Sequence, residues 1–210
     1  MPETKTVNLT GVLIGVLAWF SLAVVLGAYG FLALFPPPFP QGVLFGLVIT
    51  LLFLFWKYRP FHEWILRLDV RALVFIHLTR LVGIYFLVLY SRGQLPYAFA
   101  VPGGWGDITV AVTALLVAIF LSTDRKASRL VLFLWNLLGL LDILFVVATA
   151  TRLALASPGS MIAITRLPLS LLPTFLVPII IFSHIVIFVR LYKSRSGGAE
   201  PSHFSRVDGL

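Results

Sequence analysis

Six stretches of this chain are apolar over lengths that suit a bilayer better than a soluble core. They run near 9–35, 41–57, 72–90, 106–122, 130–151 and 170–191. A membrane-spanning helix needs ~20 predominantly apolar residues. In hydrocarbon every backbone polar group must bond within its own segment, so such runs are helices. Composition agrees, with 60% of the 210 residues hydrophobic and 11% charged, against about 25% charged in soluble domains. The pattern predicts an all-α polytopic membrane protein, a single domain over 1–210 built as a bundle of six transmembrane helices.

The basic residues give these spans a direction. Twelve of the 16 Lys and Arg fall in the N-terminal segment, alternate loops and the C-terminal segment, from Lys5 through Lys57, Arg59, Arg67, Arg71, Arg125, Lys126, Arg129, Arg190, Lys193 and Arg195 to Arg206. Three, Arg92, Arg152 and Arg166, fall in the opposite loops, and Arg80 lies within a span. Under the positive-inside rule this split puts both termini in the cytoplasm and needs an even number of spans. The same distribution sets nucleic acid aside as a partner despite the net charge of +8, because no continuous basic stripe forms. The first apolar run exceeds the ~7–15 residues of a signal-peptide core, so it is expected to be retained as a helix. There is no cysteine, which removes disulfides and thiolate chemistry.

Between the second and third spans, Phe61, Trp64, Ile65 and Leu68 recur at helical spacing opposite Arg59, His62, Glu63, Arg67 and Arg71. An interfacial helix over about 59–70 is expected there. Small residues mark faces for close helix packing: Gly11, Gly15 and Ala18; Gly42 and Gly46; and Asp107 with Ala111, Ala114 and Ala118.

Charge inside a span is expensive and calls for a partner. Arg80 sits near the middle of the third span and Asp142 deep in the fifth, which makes them the expected ion pair. His77, Asn136 and His184 lie at a similar depth on the third, fifth and sixth spans, and Asn136, Gly139 and Asp142 share one stripe. These five polar residues form a candidate ligand site, with a small cavity on the cytoplasmic half expected to be lined by His77, Asn136 and His184 and with Pro173 and Pro178 able to bend the sixth span beside it. The Arg80–Asp142 pair serves equally as a structural strut or as a relay for a proton or ion. His77 and His184 also suit a second reading, axial ligation of a b-type haem; otherwise no cofactor and no metal site is expected. Asp107 is placed at the start of the fourth span, after the Gly- and Pro-rich segment 91–106. There it either caps the helix or forms an outer mouth with Arg92, Arg152 or Arg166. No nucleophile elbow, phosphate loop or HExxH motif is present, so the reading leans away from an enzyme.

A run of motifs carries a resemblance: Arg80-Leu81-Val82-Gly83, Phe86-Leu87, Tyr90, Gly93-Gln94-Leu95-Pro96, Phe99-Ala100-Val101-Pro102, Gly106-Asp107, Trp135 through Asp142, and Pro173 through Pro178 before His184. The chain resembles, over roughly 72–191, an uncharacterised family of small bacterial multi-span membrane proteins. The resemblance implies a bacterial cytoplasmic (inner) membrane protein and brings no activity with it. The expected function is therefore an integral membrane protein with a buried polar site that binds or moves a small solute, a proton or a lipid headgroup. A haem electron-transfer subunit and a structural or accessory subunit are the alternatives.

Overall fold

The computed structural model describes residues 9–120 and 126–196. Lys5, Arg125 and Arg206, which contribute to the charge asymmetry, lie outside the described residues. Six helices are long and apolar enough to cross a membrane. We label the helices α1 (Leu9–Ala28), α2 (Phe39–Lys57), α3 (Arg59–Arg67), α4 (Val70–Ser91), α5 (Tyr97–Phe120), α6 (Lys126–Ala156) and α7 (Leu172–Ser194). Short 3₁₀ turns at Phe31–Leu34 and Pro158–Thr165 cover one end of the bundle. No strand occurs among the described residues.

The amphipathic helix α3 is the one short element with a pronounced apolar face. Its Ile65 is buried, and the exposed Arg59 and Glu63 bond one turn apart at 2.9 Å. The carbonyl of Leu68, just beyond α3, accepts from Arg190 of α7, and the Lys193 ammonium lies 3.1 Å from His62, so the ends of α3 and α7 meet. Asp69 caps the next helix, its carboxylate accepting from the Arg71 backbone N–H at 2.8 Å. At the opposite end, Gly27 of α1 packs on Ser170 and Leu167, so α1 and α7 run antiparallel.

Helix α7 is the axis of the bundle, with 67% of its span buried, whereas α1 is peripheral at 6%. Pro178 has no N–H to donate one turn back, which frees the Thr174 carbonyl. Trp19 of α1 donates its indole N–H to that carbonyl at 2.8 Å and packs edge-on against Phe175. A π turn over Leu172–Leu176 accompanies this break in the ladder.

Two departures from the sequence expectation position the site. First, α5 begins at Tyr97, nine residues before the expected 106, so most of the Gly- and Pro-rich segment is helix. Its glycines are contact surface. A Cβ on Gly104 would meet the Gly83 carbonyl oxygen at 2.8 Å, and one on Gly106 would meet the Asp142 carboxylate. In water such residues signal a loop; between membrane helices they allow backbones to touch. Second, α4 is wound as a 3₁₀ helix from Ile76 to Val82. Buried positions recur at every third residue from Val74 through His77, Arg80, Gly83 and Phe86 to Leu89. In an α-helix a step of three falls ~60° short of a full turn, so such a stripe wanders. Three residues per turn keeps it straight through the centre.

Candidate functional site

The straight stripe on α4 delivers Arg80 to the middle of the bundle, where its side chain is 1% exposed. Its three nitrogens face three acceptors. Nε donates to Asp107 Oδ1 on α5 at 2.7 Å, Nη1 to the Gly139 carbonyl on α6 at 2.9 Å, and Nη2 to Asp142 Oδ2 on α6. Gly139 contributes through its missing side chain as well, since a Cβ there would lie 2.8 Å from His184 Cε1.

The expected Arg80–Asp142 contact is present, but Asp107 is an equal partner. Its expected place at a helix start, as cap or outer mouth, is corrected: it lies ten residues into α5 and is 3% exposed. The cause is the early start of α5, which carries Asp107 ~15 Å below the helix end at 1.5 Å per residue. Its small-residue stripe was the available signal, because Ala111, Ala114 and Ala118 are all buried on the same face. Arg92 stays at the surface.

With both carboxylates ionised, one guanidinium against two acids leaves a net charge of −1 in the bundle interior. One added proton makes the cluster neutral. Burying uncompensated charge in a low-dielectric medium is costly, so with both acids ionised the cluster calls for one compensating positive charge.

On the α3 side of Arg80 lies the histidine layer. His77 and His184 are fully buried with ring centroids 4.3 Å apart, and Trp135 stands edge-on to His77 at 5.0 Å. Asn136 Nδ2 donates to the His184 carbonyl at 3.0 Å, which directs Asn136 Oδ1 toward His184 Nδ1 at 2.8 Å. Ser183 donates to the Ile180 carbonyl, so its oxygen accepts from His77 Nε2 at 3.1 Å. For neutral rings these bonds place the protons on His77 Nε2 and His184 Nδ1. The remaining nitrogens, His77 Nδ1 and His184 Nε2, are buried without a protein partner.

This geometry does not fit a haem. An iron held between two imidazoles separates their nitrogens by ~4 Å at ~2.0 Å per bond, and the porphyrin fills that gap. Rings whose centres are 4.3 Å apart leave no space for one. No group of three or more His, Asp or Glu residues with metal-binding proximity occurs among the described residues.

The cavity that reaches the charge cluster lies on the other side of Arg80 from the histidines. It has a volume of about 60 Å³, with Arg80 and Asp107 at its floor and Leu44, Phe86, Phe99, Ile143 and Val146 among its walls. His77, Asn136 and His184 do not line it, a correction to the expected cytoplasmic-half cavity. The two imidazoles pack against each other at a tilt, and Pro173 with the π turn borders the cavity at the opposite end. Two larger cavities open near the 3₁₀ turn at 158–165, of about 420 Å³ and about 560 Å³, and Arg166 lines the second.

The model of one protein family, a domain of unknown function, matches residues 38–192. The chain belongs to the DUF8737 family. The DUF8737 region runs from the start of α2 to near the end of α7, so it holds every residue of the charge cluster and the histidine layer and leaves out α1. No curated protein and no solved structure matches the chain.

Proposed function

We propose that this integral membrane protein binds and exchanges a proton at the Arg80–Asp107–Asp142 cluster, in a bacterial cytoplasmic membrane with both termini inside. One observation carries the reading: a single buried guanidinium is shared by two carboxylates, and one of them, Asp107, lies with Arg80 on a cavity with room for a few waters, at ~10–15 Å³ each. Intramembrane acids paired in this way mark ion and proton pathways. Asp142 retains 20% of its side-chain exposure while Asp107 retains 4%, so the two acids are not equivalent.

Purified protein in liposomes loaded with a pH-sensitive dye tests the proposal. Under an imposed pH gradient, with potassium and valinomycin clamping the voltage, wild-type vesicles should equilibrate faster than empty ones. Asp107→Asn should remove the difference. Wild-type vesicles no faster than empty ones would overturn the proton reading.

A structural role is the second reading, favoured by the tight packing of the His77, His184 and Trp135 rings. In that case the cluster locks α4, α5 and α6 together and its charge has no traffic.

A further inference from the structure

Gln41, in the first turn of α2, lines both the 420 Å³ mouth and the 60 Å³ inner cavity. Pro40, Ala150 and Ile164 are likewise common to the two, so the mouth and the cavity meet at this level. The Gln41 side-chain oxygen is buried and no protein group donates to it. A buried acceptor without a partner is costly, and Gln41 borders both cavities.

The lining of the mouth narrows what can pass. Its polar side chains among the described residues are Gln41 and Thr165, and it carries no charge. Arg166 faces the other outer cavity, which shares none of its lining residues with the inner one. A hydrated metal ion would surrender its shell for one amide oxygen, and an anion would meet no positive charge in the mouth. Water suits the site, with an acceptor at Gln41 and charged groups at the floor. The apolar walls between form the kind of constriction that opens and closes by wetting.

We infer that Gln41 is the inlet of the proton path, its carbonyl holding a water at the junction through which protons enter from the end covered by the 31–34 and 158–165 turns. The inference rests on the proton reading above. A hydronium ion at this position passes its proton along water to an Asp107 oxygen and remains as water, so no further reactant is needed.

The absence of cysteine gives a clean test, because any introduced thiol is the only one in the chain. Gln41→Cys should react with a membrane-impermeant thiol reagent applied from the side opposite α3. Leu44→Cys, one turn deeper, should react with silver ion from that same side. In the liposome assay Gln41→Leu should slow proton equilibration by about tenfold or more, as a hydrophobic constriction loses its polar anchor, and Gln41→Glu should restore it. Gln41→Leu conducting like wild type while Asp107→Asn does not would overturn the inlet and leave the proton site standing. A wild type that conducts nothing would instead overturn the underlying reading. Gln41→Cys that reacts only with a bilayer-partitioning reagent would make the mouth a lipid pocket and would also overturn the inlet.

Discussion

Arg80 is irreplaceable in kind as well as in charge. Its planar fork sends separate N–H bonds to Asp107, Gly139 and Asp142, and a lysine ammonium cannot reproduce that geometry. Removing one member of a buried ion network costs ~3–5 kcal/mol because its partners are left stranded. Arg80→Met should therefore lower the thermal unfolding midpoint in detergent sharply. The triple variant with Asp107→Leu and Asp142→Leu should recover most of the loss, whereas pairing Arg80→Met with Asp142→Leu alone should recover less, since Asp107 stays unpaired. A triple variant as unstable as Arg80→Met would assign the cost to lost packing. Glycines sort the same way. Gly83 faces the backbone of Gly104, so Gly83→Ala forces two helices apart. Gly42 and Gly46 have open space beside them, so alanine there should be neutral or stabilising by about 0.5–1 kcal/mol through helix propensity. Paired thermal melts of the two sets check the contrast.

Among the elements, α1 and α7 share a bond that neither sequence segment announces. Pro178 frees the Thr174 carbonyl and Trp19 takes it up across the interface. Trp19→Phe keeps most of the ring packing but leaves that acceptor unmet, at a cost of ~1–3 kcal/mol. Pro178→Ala restores an N–H to bond Thr174 within α7. The two changes should therefore be coupled: Trp19→Phe should be damaging alone and nearly harmless in the Pro178→Ala background. A double-mutant cycle on unfolding free energy measures this directly, and strict additivity would remove the explanation. The 3₁₀ stretch of α4 is the other element-scale device, since its three-residue period is what keeps His77 and Arg80 in one line.

For the whole molecule, the even number of spans places Leu9 and Ser196 at the same end as α3, where Arg190 and Lys193 of α7 meet α3. The proposed cytoplasmic placement of that end rests on the charge asymmetry. A periplasmic alkaline phosphatase fused after Leu210 should be inactive and a fluorescent protein fused there should glow; the reverse pattern would refute the orientation. The low burial of α1 and the limits of the family match both set the core at α2 to α7. Deleting residues 1–30 should therefore leave a bundle that still elutes as a folded species in detergent, with a reduced unfolding midpoint from the exposed Thr174 carbonyl.

Hydropathy by itself determined that this chain has six helices long and apolar enough to cross a bilayer, because length and apolar content are local and a membrane allows little else. It also marked Arg80, Asp142, Asn136 and the two histidines, since polar residues in apolar runs are conspicuous wherever they pack. Asp107 was misplaced because glycine and proline read as a loop when the helix they face is not known. Only the tertiary structure paired Asp107 with Arg80, closed the two imidazoles against each other at 4.3 Å, and put the cavity beside Gln41 instead of beside the histidines. Those outcomes depend on which helices touch and how closely their backbones approach. Each is set by contacts between residues far apart in the chain, such as Gly83 with Gly104 and Gly139 with His184, and no local pattern carries that information.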